Sequence, residues 1–269
     1  MATTNKPVSN WAKLLSDLIL GNVACVAVDD RDRVYLFNRG NHPVVVLSQS
    51  GAHINMGRGC FSNPHGASIG PDQCIYLTDN FDHTVRKFSL DGKLLLKIGT
   101  AGESSDFMSE KPFCKCTHSA ISPTGSIFVS DGYQNACIHK FDPNGKLLKS
   151  WGTSGTGPKE INLPHNICCD PDGWVCVADR ENSRFQIFDT NGQFETQINN
   201  MHRPSAPAIT PGTCLNCIIG ELASYLKVNQ DFPDIGPFVS IFNQQGNVLS
   251  RLNAGMGAGL EPGPLPITS

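Results

Sequence analysis

One phrase recurs along the chain and restricts the fold more than any other feature. It reads VACVAVDDRDRVYLFNRGNH at 23–42, NPHGASIGPDQCIYLTDN at 63–80, CTHSAISPTGSIFVSDGYQN at 116–135 and LPHNICCDPDGWVCVADREN at 163–182. Each copy has a small or apolar run, a polar turn (Asp29 to Arg33, Gly70 to Gln73, Pro123 to Gly125, Asp170 to Gly173) and an alternating strand. A second alternating strand and a hairpin follow, with Asp91-Gly92, Asn144-Gly145 and Asn191-Gly192 at the turns, pairs that suit positive φ. Short strands repeating at a spacing of roughly 40 to 55 residues predict the blades of a β-propeller. Units begin near Asn22, Asn63, Cys116, Leu163 and Pro204, and the fifth carries a long inserted loop. The expected division is a lead-in over 1–21, an all-β propeller over 22–254, and a Gly/Pro-rich segment over 255–269. That last segment has the composition of the linkers between blades. The plan is therefore read as a propeller of which about five blades stand in this sequence, with a closed five-bladed ring as the alternative. CIYLTD, SIFVSD and WVCVAD are expected to be equivalent inner strands.

Charged residues make up 17% of the 269-residue chain and the formal net charge is −3, so no basic surface points to nucleic acid. The start, MATTNKPVSNWAKLLSDLILGN, is too short in its apolar part to span a bilayer and lacks a secretory pattern; a short helix or lead-in strand is expected. The 11 cysteines are odd in number, and Cys74, Cys137 and Cys176 fall inside expected strands. Reduced, buried thiols and a cytoplasmic setting follow as the expectation. Cys214 and Cys217 have the spacing of half a zinc knuckle, but no second pair accompanies them and the structural reading is preferred.

His65, His118 and His165 fall at one point of three successive repeats. Residues at one repeat position of a propeller converge on one end of its axis, so these imidazoles form a candidate site for a divalent metal such as zinc. Any one of them alone would be read as a backbone hydrogen-bond partner. His118 stands thirteen positions before Asp131, whereas His65 and His165 stand fourteen before Asp79 and Asp179. That shift is expected to aim its ring away from the axis. Asp79, Asp131 and Asp179 are read as structural carboxylates that accept backbone N–H groups in the following turn. Arg180 with Glu181 is read as an inter-blade ion pair.

NPHG at 63–66, SDGY at 130–133, LPH at 163–165, VADREN at 177–182 and VYLFNRGNH at 34–42 resemble the peptidyl-α-hydroxyglycine α-amidating lyases, the lyase domains of peptidylglycine α-amidating enzymes. The resemblance runs from about Val23 to Asn200 and fades beyond Met201. It implies a six-bladed propeller of NHL type, a zinc ion held by three histidines, and cleavage of a peptidyl-α-hydroxyglycine to a peptide amide and glyoxylate. Position by position it implies that His65 and His165 are zinc ligands, that Tyr133 is the catalytic base, and that Arg39 steadies the base or the substrate carboxylate. It also implies a structural calcium on the backbone carbonyls of Val26 and Ala67.

The departures are specific. The family's third zinc histidine would lie beyond Ser269, leaving His118 as the candidate third ligand, at a position where the family has aspartate. The calcium ligand on that segment is likewise missing. Gln134 and Ile187 stand where the family has disulfide cysteines, which agrees with reduced thiols and opens the substrate to another small α-hydroxy compound. Two functions follow as expectations: a metal-dependent lyase of amidating type, or a non-catalytic propeller that binds a protein or peptide on its channel face.

Overall fold

The computed structural model describes residues 12, 14, 18–48, 53–210, 216–229 and 235–253. Blade 1 contains β1 (Val23–Val28), β2 (Val34–Asn38), β3 (Val44–Leu47) and β4 (His53–Met56). Blade 2 contains β5 (Pro64–Ile69), β6 (Cys74–Asp79), β7 (Thr84–Ser89) and β8 (Leu94–Ile98), and blade 3 contains β9 (Cys116–Ile121), β10 (Ile127–Asp131), β11 (Cys137–Phe141) and β12 (Leu147–Trp151). A short parallel pair, β13 (Thr153–Ser154) and β14 (Glu160–Ile161), precedes blade 4. That blade is built from β15 (Pro164–Cys169), β16 (Val175–Asp179), β17 (Arg184–Phe188) and β18 (Phe194–Ile198). Blade 5 contains β19 (Pro204–Ile209), β20 (Cys217–Glu221), β21 (Phe238–Phe242) and β22 (Val248–Asn253). Every blade is a four-stranded antiparallel meander. The lead-in segment lies largely outside the described residues, as do Cys214 and 255–269.

The innermost strands are β1, β5, β9, β15 and β19, which pack in that order around the axis. CIYLTD, SIFVSD and WVCVAD are equivalent, as expected, but they are second strands rather than innermost ones. The reason lies in side-chain size. The crowded axis takes strands with small residues, such as PHGASI, while the bulkier second strands fill the space between blades. Tyr35, Phe37, Val44 and Met56 of blade 1 pack on Ala67, Ile75 and Leu77 of blade 2, and similar layers follow around the ring. β1 and β19 do not pack together as the other inner strands do. Val23, Val26 and Val28 of β1 accordingly remain 44, 50 and 53% exposed.

The acidic residue that ends each second strand ties a blade to the segment leading into it. Asp79 accepts from the backbone of Asn63 and Asp82, Asp131 from Cys114, Asp179 from Asn162, and Glu221 from His202. Asn38 does the same in blade 1 for Gly21 and Gly40. The repeats led to the expectation that Asp79, Asp131 and Asp179 accept backbone N–H groups of the following turn; Asp79 does so from Phe81 and Asp82, whereas Asp131 and Asp179 take their backbone N–H from the segment before the blade. At the hairpins, Gly92, Gly145 and Gly192 have φ of 95, 83 and 71°, where glycine avoids the steric cost a side chain would meet.

Candidate functional site

A β-bulge occurs near the start of every inner strand. The register breaks between Val23 and Cys25, Pro64 and Gly66, Cys116 and His118, Pro164 and Ile167, and Pro204 and Ala206. The displaced residues include Ala24, His65, Thr117, His165 and Ser205. A bulge re-aims a side chain, and here it turns the residues of successive blades toward one mouth of the channel. Thr117, not His118, is therefore the register equivalent of His65 and His165, at fourteen residues before its strand-ending aspartate.

His65 and His165 come together at this mouth with ring centroids 5.0 Å apart. Tyr133, in the loop after β10, places its hydroxyl oxygen 3.0 Å from Nε2 of His65 and 3.3 Å from Nε2 of His165. Gly132 makes that approach possible, because a Cβ there would lie 2.2 Å from the Pro164 carbonyl oxygen. Nδ1 of His65 lies 2.7 Å from the Thr117 carbonyl, and Nδ1 of His165 lies 3.1 Å from the Ser205 carbonyl. A carbonyl oxygen only accepts, so Nδ1 of His65 carries the proton and its Nε2 presents a lone pair, whereas Nδ1 of His165 lies between the Ser205 carbonyl and the Asn166 side-chain amide. Both Nε2 atoms point at one phenolic oxygen.

Both imidazoles are held neutral. Burial, reinforced by the neighbouring His165, pushes His65 well below the usual histidine range, and burial with the Arg180 guanidinium pushes His165 down to about 3. Neutral rings whose outer N–H is anchored on a backbone carbonyl are the usual state of metal-binding histidine. Among the described residues no three His, Cys, Asp or Glu side chains converge in a metal-holding group. The convergent groups are the two imidazoles and the Tyr133 oxygen, and histidine nitrogen is a ligand type that zinc takes.

His118 does not join them. One residue past the bulge, it turns down the channel, buried, with Nδ1 3.1 Å from the Ile167 carbonyl and Nε2 3.2 Å from that of Ala67. Gly66 leaves room for it, since a Cβ there would lie 2.8 Å from the His118 ring. The Ala67 carbonyl also takes a contact from the Cys25 thiol at 3.5 Å, and the Val26 carbonyl lies 3.9 Å from the same sulfur. The two carbonyls considered for calcium thus face a thiol and an imidazole, and among the described residues no carboxylate lines this part of the channel. Calcium takes six to eight oxygen ligands, commonly including carboxylates, so these residues do not fit it.

Arg39 is exposed at the rim, where its Nε donates to the Pro64 carbonyl at 3.2 Å, beside His65. Arg180 has a place that reading the sequence missed. Its guanidinium lies over the Tyr133 ring at 5.7 Å from the centroid, while Glu181 joins it to Arg203 of blade 5. The signal was present in the repeat: Arg39 and Arg180 both directly follow the polar residue that ends a second strand, Asn38 and Asp179.

An NHL repeat model matches residues 162–188. The chain is 34% identical over 209 residues to the peptidyl-glycine alpha-amidating monooxygenase of Mus musculus, covering 65% of this chain and 21% of that protein. It is 36% identical over 157 residues to peptidyl-alpha-hydroxyglycine alpha-amidating lyase 1 of Drosophila melanogaster, covering 54% of this chain and 28% of the relative. It is 32% identical over 201 residues to NHL repeat-containing protein 3 of Homo sapiens, covering 70% of this chain and 58% of the relative. The chain spans about a fifth of the length of the mouse protein. With five repeated blades and this pattern of similarity, the chain is an NHL-repeat β-propeller homologous to the peptidylglycine amidating enzymes and the NHL repeat-containing proteins.

Proposed function

We propose that the chain is a carbon–nitrogen lyase of amidating type, acting on a peptidyl-α-hydroxyglycine or a related α-hydroxy compound. The observation that carries this reading is the convergence of two imidazole Nε2 atoms on the Tyr133 oxygen. His65 and His165 would hold zinc there, and zinc when bound supplies Lewis acidity toward a substrate oxygen. Arg39, exposed beside Pro64, would pair with the substrate carboxylate. With its own proton first lost to solvent, the Tyr133 oxygen takes the hydroxyl proton, the C–N bond breaks as the carbonyl of glyoxylate forms, and that proton, passed on to nitrogen, gives the amide. Arg180 holds the phenol ring from above.

The test uses the full chain, a synthetic peptidyl-α-hydroxyglycine, and measurement of glyoxylate with and without added zinc. Zinc-dependent release is expected, with Tyr133→Phe keeping zinc and losing about 10² to 10⁴ in rate, the range for a lost acid or base. His65→Ala is expected to lose both zinc and activity. A second reading, a non-catalytic module that binds a peptide at the channel mouth, is favoured by the presence of only two convergent imidazoles among the described residues. Peptide binding with neither glyoxylate release nor zinc uptake would replace the first reading with the second.

A further inference from the structure

Three positions before the polar residue that ends each second strand stand Tyr35, Tyr76, Phe128 and Cys176 in blades 1 to 4. In the first three blades this aromatic ring fills the layer facing the next blade. In blade 4 the same position is a cysteine, facing blade 5. A cavity of about 290 Å³ lies there, lined by Cys176, Phe185, Ile187, Ile209 and Cys217, with Trp174 at its side. A closed apolar cavity of about 150 Å³ accepts benzene, so this space is ample for one aromatic ring.

The turn beside that ring varies with it. Where the residue is tyrosine, the turn supplies a carboxylate for the hydroxyl: Tyr35 donates to Asp29 at 3.2 Å and Tyr76 to Asp72 at 3.0 Å. Where it is Phe128, the two corresponding turn positions are Ser122 and Thr124, with no carboxylate. Blade 4 breaks the pairing. It has no ring, yet it keeps acids at both positions, Asp170 six and Asp172 four residues before Cys176, and both line the cavity. Asp170 has a structural task, accepting from the backbone of Asp172 and Trp174. Asp172 corresponds to Asp72, which in blade 2 also receives the ammonium of Lys87 at 2.7 Å. Lys87 is the ladder partner of Tyr76, and the equivalent partner of Cys176 is Ile187, so neither neighbour offers Asp172 a hydroxyl or an ammonium.

We infer that the blade 4–blade 5 cleft is a binding site for a small phenol. The ligand's ring occupies the space that Tyr76 fills in blade 2, and its hydroxyl donates to Asp172. This is independent of the lyase reading, since the cleft lies at the turn between first and second strands and His65, Tyr133 and His165 do not line it.

The test titrates p-cresol, and toluene as the ring without a donor, into the full chain, following Trp174 fluorescence and ligand-observed NMR. Saturable p-cresol binding is expected, at least fivefold tighter than toluene. Asp172→Asn should weaken p-cresol at least fivefold and leave toluene unchanged. Cys176→Phe, which copies Phe128, should abolish both and raise the thermal midpoint. Equal affinity for p-cresol and toluene, no saturable binding of p-cresol, or an unchanged p-cresol affinity in Asp172→Asn would overturn the proposal. The last criterion applies even if Cys176→Phe does not fold.

Discussion

His118 gives the chain a calculable sensitivity to acid. Burial lowers its pKa to about 4, outweighing the two carbonyls on its nitrogens, which act in the opposite direction. The unfolded chain titrates near the ordinary value of about 6.5. The folded state therefore binds fewer protons between these values, and stability falls as pH drops from 6.5 toward 4. At about 1.4 kcal/mol for each pKa unit, the full loss is about 3 kcal/mol, and about 2 kcal/mol of it has gone by pH 5. The perturbation is His118→Gln, which removes the titration and keeps one amide donor for a carbonyl. Urea unfolding of both chains at pH 7, 6 and 5 is the assay. The variant is expected to be less stable at pH 7 but to lose about 2 kcal/mol less than the parent on going to pH 5, because His65 and His165 titrate in both chains. Parallel curves would refute the reasoning. They would mean that His118 is an imidazolium in the native fold, donating to Ala67 and Ile167 at once, and that the carbonyl pair outweighs burial.

Two further outcomes follow from the fold. Asp131→Asn should cost about 3 kcal/mol in thermal or urea unfolding, since the buried carboxylate accepts from Cys114, Asn135 and His139 and an amide cannot accept from all of them. Thiol titration of the denatured, unreduced chain should find at least ten reactive groups, since all ten described cysteines are free; a count of four or fewer would contradict the arrangement.

The blades were legible because the polar residues closing the second strands, the Gly turns and the alternation all repeat at fixed offsets, and each reflects a local requirement of the backbone. The pairing of His65 with His165 was legible from the same offsets, whereas the one-residue shift of His118 was read as turning its ring away from the axis and the ring instead lies in the channel. Its actual surroundings were not legible. The carbonyls of Ala67 and Ile167 come from neighbouring blades, and spacing within a repeat says nothing about backbone atoms across the axis. Arg180 was missed for a related reason: its ion pair with Glu181 is local and visible, whereas its stacking on Tyr133 joins two blades. The second strands were placed innermost because alternation identifies a half-buried strand without saying which neighbour buries it.

The geometry of the site does not depend on β1 and β19 meeting. His65 of blade 2 is anchored on the Thr117 carbonyl of blade 3, the Thr117 hydroxyl donates to the Pro164 carbonyl of blade 4 at 2.8 Å, and His165 of blade 4 is anchored on the Ser205 carbonyl of blade 5. Each bond reaches forward to the next blade, and every step falls at or beside a bulge. Tyr133 is set by the same series, since Gly132 rests on the Pro164 carbonyl that Thr117 also uses. The two imidazoles and the phenol are thus fixed by four consecutive blades whose interfaces are all packed. The open side borders blade 1, which among the described residues contributes Arg39 to the site, and that side chain sits at the exposed rim. A propeller that opens or accepts another sheet at that side would therefore change how substrate reaches Arg39 while leaving the donor geometry of His65, His165 and Tyr133 in place.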